Sequence, residues 1–332
     1  MKNIRLKKGI DLNIKGTPSK EVKTILSSDR LGVLPERTPF IKPRLLVKEG
    51  DRVQTGSTLY EDKRNTDIKF LSPGGGVVEK IKFGKRRVIQ EISIVLDTNE
   101  GREEFEKFTA ADLDRIEKDQ LVRAITIGGL WSLFRAFPFG DVPKPDQTPS
   151  AIIINLDSKE PFHPLADIYL KDNLELFNFG LKVLDRLTEN VYLSTILARP
   201  LIPEQLNGRI THQFYGPYPA GNPGVLLYHI RQHPNENRSW RISGQDLLLL
   251  AALIKNGRYP TQRMMTIGGS MAEKPKHLMA RLGVKLGNLV ESTGPEQKDA
   301  RYITGGLFTG YSTRLTSFMG LHETSLLVIP EG

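Results

Sequence analysis

Cysteine is absent from the sequence. Disulfides, thiolate zinc sites, cysteine nucleophiles and cysteine-held iron–sulfur clusters are excluded together. Long apolar runs are lacking too. The longest covers residues 247–254, whereas a membrane-crossing helix needs about 20 such residues. That run reads as a buried helix, and the chain as a soluble one. The first eight residues, from Met1 to Lys8, are basic but lack the apolar stretch of a signal peptide, so a cytoplasmic location is expected. Acidic residues are the scarcer charge: 38 Asp and Glu face 47 Lys and Arg, for a formal net charge of +9. Such an excess suits an acidic partner (nucleic acid, anionic headgroups or an acidic protein face), and equally an ordinary solvated surface.

The familiar catalytic signatures are missing as well. No G-x-x-x-x-G-K-[ST] loop cradles phosphate, because Gly84-Lys85 lacks the earlier glycine. No G-x-G-x-x-G follows a strand, and no G-x-S-x-G elbow presents a serine. His229 and His233 are four apart, but Arg231 between them repels a cation and Pro234 follows at once, which argues against a metal site.

What is present divides into three segments, as expected for a chain of 332 residues. Up to about residue 100, short strands alternate with tight turns. Ile10, Leu12 and Ile14 alternate with polar residues, and Gly50, Gly56 and the Ser72-Pro73-Gly74-Gly75-Gly76 run mark reversals. A small β sandwich or barrel is expected. From about 101 the period changes. Thr109 to Asp112 reads as a helix start, followed by Leu113, Ile116, Leu121 and Ile125 at helical spacing. Residues 151–156 form a continuous apolar run, as in a strand buried on both faces, and residues 191–196 read as another. Leu174, Phe177, Leu181 and Leu184 mark one helix face between them, so an α/β layer is expected. Ser243 starts, and Gly257 stops, a helix apolar nearly all round. From residue 257 a compact α+β module follows, with strands at 264–267, 302–303 and 326–329 and helical patches at 277–282 and around Leu289.

Two stretches invite a functional reading. Val47 to Gly56, Asp62-Lys63 and Ser72 to Val77 resemble a lipoyl or biotinyl carrier domain, in which a lysine at a hairpin tip takes the cofactor. Here residues 61–67 read as a lengthened loop, so the fold is expected without acylation of Lys63. Lys80, Lys82, Lys85, Arg86 and Arg87 cluster around Phe83-Gly84. A solvated hairpin and a partner-docking patch carried by Lys82, Lys85, Arg86 and Arg87 both fit. Nucleic acid fits less well, because Phe83 is the lone aromatic among the charges.

Four groups of residues together resemble one family. They are Lys8-Gly9-Ile10-Asp11-Leu12 with Ile14 and Gly16; Gly50-Asp51 onward to Phe70, including Glu61-Asp62-Lys63 and Asn65; and Gly129-Leu130-Trp131, Arg135, Pro138-Phe139, Val142-Pro143 and Pro145. The last group is Pro219-Ala220-Gly221, Pro223-Gly224, Gly257-Arg258, Arg281-Leu282-Gly283 and Gly305-Gly306. In this order they are similar to the A subunit of the Na+-translocating NADH:quinone reductases, over essentially the whole chain.

The resemblance implies a multidomain α+β protein. A carrier-like barrel-sandwich hybrid would occupy 1–100, a Rossmann-like α/β domain 101–256, and a β-grasp domain of the soluble-ligand-binding type 257–332. It implies kinship with the flavin-binding subunit of complex I and the C subunit of the Rnf complex. In the flavin-binding relatives a glycine-rich loop approaches the flavin phosphate. Here bulky Leu130 and Trp131 occupy that place, so no flavin is assigned. Members of the family usually continue past the β-grasp domain, whereas this sequence stops at Gly332. The role implied is a peripheral subunit on the cytoplasmic face of the bacterial inner membrane, bracing sister membrane subunits. Flavins and iron centres would lie on those sisters; no catalytic residue, metal or cofactor is expected in this chain. Any quinone contact is expected at Arg135, Phe137 and Phe139 or at Arg37, where proline-stiffened backbone carries apolar and basic side chains; the phenylalanines could equally pack the second domain. The alternatives are a stand-alone small-molecule module using the β-grasp domain and, third, a nucleic-acid binder.

Overall fold

Ser243 and Gly257 bound the helix Gly244–Asn256 as the sequence predicts. The Ser243 hydroxyl accepts the Asp246 N–H at 3.1 Å, and Gly257 ends the helix in the left-handed region at φ 63°. Thr109 and Asp112 likewise form a reciprocal capping box. The computed structural model describes residues 1–25, 28–198, 201–206 and 208–332. They form two units: Met1–Asp11, Phe105–Lys159 and Leu165–Gly257 in one, and Leu12–Glu104, Glu160–Pro164 and Arg258–Gly332 in the other.

The first unit is an α/β layer. Ile152–Asn155, Val191–Thr195 and Ile210–Tyr215 lie side by side in parallel, and Trp240–Ser243 pairs with the opposite edge of Ile152–Asn155. In chain order this is 3-2-1-4, the Rossmann-like half expected from strand, helix, strand. Ile152, Ile153 and Ile154 are fully buried, as a strand covered on both faces requires. Phe177, Leu181 and Leu184 bury one face of the helix Leu174–Asp185.

In the second unit, one four-stranded and one three-stranded sheet build the barrel-sandwich hybrid from residues 30–96. Tyr60 and Phe70 pair across neighbouring strands and stack at 4.4 Å between ring centres. The C-terminal sheet runs Tyr311–Thr313, Ala300–Thr304, Ser325–Pro330, Gln262–Gly268, Lys276–Arg281. Its first and last strands in sequence are parallel neighbours, and the helix Leu286–Glu291 follows the opening hairpin, which is the β-grasp arrangement.

Inside the span expected for the barrel domain, Lys2–Arg5 adds in parallel to Ile210–Tyr215 of the α/β sheet, and Ser19–Ile25 to the free edge of Lys276–Arg281. Period-2 patterning marks a strand but not the sheet it joins, since an edge can be completed by residues distant in sequence. Residues 10–14 form no strand; Ile10 makes one isolated bridge to Tyr218, and Ile10 and Leu12 are 54% and 44% exposed. Residues 277–282 are no helical patch: Lys276–Arg281 is a strand antiparallel to Gln262–Gly268, with Met264 opposite Met279, so pairing overrides local propensity.

Barrel and grasp meet within the second unit. The Gly32 N–H donates to the Gly283 carbonyl at 2.8 Å. Beside it, the Arg281 guanidinium donates to both Glu100 carboxylate oxygens, at 2.5 and 2.8 Å, and to the Pro73 carbonyl at 3.1 Å. Burial works to raise the Glu100 pKa, but Arg281, the Gly75 N–H and the Thr55 hydroxyl outweigh it and hold the carboxyl below its usual range. A group so depressed contributes stability above its unfolded pKa and loses it as pH falls through the folded value. Arg281→Met is therefore expected to cost about 2–3 kcal/mol near neutral pH by leaving Glu100 half-buried and unpaired. In urea denaturation the gap between variant and wild type should shrink as pH falls below the ordinary glutamate range and Glu100 becomes protonated in the fold.

In the α/β unit the opposite case occurs at the end of Ile152–Asn155. Burial pushes Asp157 up to about 7, although its carboxylate accepts the Ile196 N–H at 2.6 Å and the Thr195 hydroxyl at 3.0 Å. A raised carboxyl stabilises the fold fully below its unfolded value and loses that contribution as pH rises through the folded one. Asp157→Asn should consequently flatten the fall in thermal midpoint between about pH 4 and 7. The slope removed should be at most about 1.4 kcal/mol per pH unit, read as the difference between the two stability profiles.

Candidate functional site

The turn after the helix Lys118–Ile127 is built around aromatic packing. Leu130, Trp131 and Phe134 are fully buried, with Trp131 and Phe134 lying 5.3 Å apart and both against Trp240. The Trp131 indole N–H donates to the Pro143 carbonyl at 2.7 Å. The bulk that replaces glycine in this loop is thus core. Arg135–Ala136 then pairs antiparallel with Trp240–Ser243, placing Arg135 opposite Arg241. The backbone reverses through Phe137, Pro138 and Phe139: the Gly140 N–H returns to the Ala136 carbonyl at 2.8 Å, and the Ala136 N–H reaches the Asp141 carbonyl at 2.7 Å.

This turn separates the expected quinone-side residues. Arg135 is buried. Phe137 packs partly buried against the cluster of Ile4, Ile153, Phe214, Ala220, Leu226 and Leu227. Phe139 is 76% exposed. An aromatic ring held open on a short closed turn can lie against an apolar ligand or partner, whereas Arg135 is withdrawn from solvent.

Arg37 belongs to the other unit and to a different constellation. Its guanidinium lies over the Tyr311 ring at 3.2 Å from the centroid. Tyr311 donates its hydroxyl to Glu323 at 2.5 Å, and Glu323 also accepts the Gly320 N–H. Burial raises the pKa of both Glu323 and Tyr311, so the pair holds its protons more tightly than exposed groups would. Nothing at sequence level pointed to this cluster, because Arg37 and Tyr311 are far apart along the chain.

A second tie escaped sequence reading. Glu160 accepts the Phe308 N–H at 2.7 Å in the loop that follows Gly305-Gly306, and the Thr266 hydroxyl donates to the Phe162 carbonyl. His163, pushed down to about 4 by burial, lies 3.4 Å from the Gly305 carbonyl through its Nε2. The residues 160–164 are thereby strapped to the β-grasp sheet.

Around Lys63 the expected long loop is replaced by a two-residue turn. Lys63-Arg64 joins Thr58–Asp62 directly to Asn65–Leu71, and the Asp62 carboxylate accepts the N–H groups of Lys42 and Arg64 at 3.0 and 3.1 Å. The Asx interaction shortens the loop in a way composition does not reveal. The turn is not free-standing, since the Lys63 N–H donates to the Lys42 carbonyl at 2.8 Å. His229 closes the helix Pro223–Ile230 while His233 lies beyond it in extended backbone, so the two share no helix face.

The basic cluster occupies the hairpin between Gly76–Phe83 and Ile89–Leu96. Lys82 faces Glu91, whose half-buried carboxyl is raised by burial and lowered by Lys82 and Lys80. Lys85, Arg86 and Arg87 form the exposed tip. A cleft of about 830 Å³ elsewhere in the same unit is lined by Asp29, Asp97, Glu100 and Glu291. Three of these carboxylates, those of Asp29, Asp97 and Glu100, are already paired, with Arg30, Arg52 and Arg281 respectively, which leaves little charge for a ligand.

Comparison with known proteins agrees with this architecture. Residues 4–97 match the family model described as the NqrA N-terminal barrel-sandwich hybrid domain, and residues 116–259 the one described as the NqrA second alpha/beta domain. The A subunit of the Na(+)-translocating NADH-quinone reductase of Neisseria meningitidis serogroup B is 32% identical over 336 residues, covering 99% of this chain and 74% of that one. Its counterpart from Yersinia pestis is 30% identical over 331 residues with the same coverage. Among the described residues no helix is long and apolar enough to cross a membrane. With two successive domains matched in order and the likeness running nearly end to end, the chain belongs to the NqrA family, the A subunits of the Na+-translocating NADH-quinone reductases.

Proposed function

We propose that this chain is the peripheral, cytoplasmic-face subunit of a bacterial inner-membrane pump that couples electron transport from NADH to quinone to sodium transport. Its role there is to hold the sister membrane subunits in one geometry and to flank the quinone pocket. The observation that carries this reading is the collinear match over 99% of the chain to relatives that bear this subunit's name. Flavins and iron centres are assigned to sister subunits. Leu130 and Trp131, fully buried where a flavin-binding relative would need glycine, support that division, as does the lack of cysteine. Hydride transfer from NADH requires such an acceptor held against the nicotinamide ring, so this subunit contributes position rather than electrons.

Removing the chain should abolish most NADH-dependent quinone reduction and sodium uptake by the complex. The measurement is both rates in reconstituted vesicles with and without this subunit; full activity without it would reject the scaffold role.

Phe139 is the residue best placed to touch quinone. Its exposed ring suits an isoprenoid chain, while Arg37, turned onto Tyr311, the buried Arg135 and the partly buried Phe137 are better suited to supporting the fold. A photoreactive quinone bound to the complex should label the peptide containing residues 135–139. Phe139→Ser should cut that labelling several-fold and leave the thermal midpoint of the isolated chain unchanged, because exposed substitutions shift stability little. Labelling confined to residues 257–332 would place the contact on the β-grasp domain instead.

A further inference from the structure

The hairpin tip at residues 83–88 combines three features that the pump role does not use. First, Lys85, Arg86 and Arg87 are exposed and form no ion pair among the described residues; the Arg87 guanidinium lies 5.7 Å from the Phe83 ring centroid. Second, Phe83 and Val88, 46% and 47% exposed, flank those cations. The Gly84 N–H donates to the Val88 carbonyl at 2.8 Å and closes the neck, so both apolar residues stand at the base of one small loop. Third, Arg86 and Arg87 adopt φ 56° and 58°, left-handed backbone that glycine or asparagine takes more easily. Turn chemistry alone would not choose two arginines there, and charge at the tip supplies a reason for them.

We propose that this tip is a membrane-surface contact, in which Phe83 and Val88 enter the headgroup layer of an anionic bilayer while Lys85, Arg86 and Arg87 meet lipid phosphates. Cations beside exposed apolar side chains are what such a layer selects, apolar atoms going toward the acyl boundary and charges staying at the phosphates. A protein partner fits the tip less well, because a stable protein interface covers about 800 Å² per side and a six-residue loop offers only a fraction of that. Nucleic acid fits less well again: single-strand binding needs successive aromatic stacking platforms, and Phe83 is the lone aromatic among these charges. Lys80 and Lys82 lie nearer the neck, their charge partly offset by Glu91, and add a longer-range attraction.

The contact presumes that the chain works at a membrane, but its test uses the purified full chain alone, so failure would leave the pump assignment standing. Co-sedimentation is measured with phosphatidylcholine vesicles, with and without phosphatidylglycerol, at two salt concentrations. The expected result is binding to the anionic vesicles that weakens with salt and is nearly absent on the neutral ones. Replacing Lys85, Arg86 and Arg87 together by Glu should weaken it by roughly a hundredfold or more, at about fivefold per charge lost near the surface. Phe83→Ser with Val88→Ser should weaken it several-fold while the salt dependence persists. Circular dichroism and thermal midpoint should be unchanged in both variants. Equal binding by wild type and the charge-reversed variant would overturn the proposal. So would equal binding to neutral and anionic vesicles, or equally tight binding to double-stranded DNA. Loss of assembly with the membrane subunits in the charge-reversed variant, without any loss of vesicle binding, would assign the tip to a protein partner and overturn it as well.

Discussion

Two backbones meet at Gly32 and Gly283, and the barrel–grasp unit depends on that meeting. A Cβ on Gly283 would lie 2.4 Å from the Gly32 carbonyl oxygen, and one on Gly32 would run into the Phe318 ring at 2.2 Å. Only glycine allows this approach, and Gly283 also holds φ 72°, which side chains resist. The closeness puts Arg281, two residues earlier, within reach of Glu100 and the Pro73 carbonyl. One steric allowance thus positions one half-buried ion pair, and together they join a barrel to a sheet that comes from the other end of the chain. Leu31 bridges to Val284 on the same line.

Similar ties recur through the molecule, each built on an acidic side chain withdrawn from solvent. Glu61 is nearly buried and paired with Lys69 and Arg44 across its sheet; hydrogen bonding to Lys69 is the main influence holding it below its usual range. Glu160 holds the 160–164 strap on the β-grasp loop, and Glu323 anchors Tyr311 beneath Arg37. Asp157 closes the end of a central strand. Unpaired, such groups would cost far more than they contribute, so each is matched by N–H groups, hydroxyls or cations. Such matched pairs contribute uniqueness of geometry at least as much as stability.

Local signals made much of the fold legible in the sequence. Ser243, Gly257, Thr109 and the apolar run through Ile152, Ile153 and Ile154 each sit where capping and burial rules place them. What was not legible is non-local. The N-terminal strands pair with sheets formed by residues far later in the chain, and nothing in Lys2–Arg5 or Ser19–Ile25 names those partners. Residues 277–282 read as a helical patch, whereas the strand partner across the sheet decides otherwise. At the candidate site the same division holds. The basic hairpin and the Phe139 turn were visible as composition, while the fate of Arg37 depended on Tyr311, which only tertiary packing brings near.

The distribution of chemistry supports the division of labour proposed for the chain. An enzyme centre needs titratable groups converging on a cleft, with partners that leave one of them available for reaction. Here Asp157 stands in the α/β unit, while Glu323 and Tyr311 are bonded to each other in the second unit, which also holds His163, and each of the four is engaged with backbone or with a neighbour. The acidic cleft beside Glu100 has most of its charge already balanced by arginines. Chemistry left exposed is of another kind: a bare aromatic ring at Phe139, and three cations beside Phe83 and Val88 that form no ion pair among the described residues. Side chains of those types recognise apolar and anionic surfaces. Such an arrangement suits the proposed scaffold role, in which a protein acts by where it is held and by what it holds.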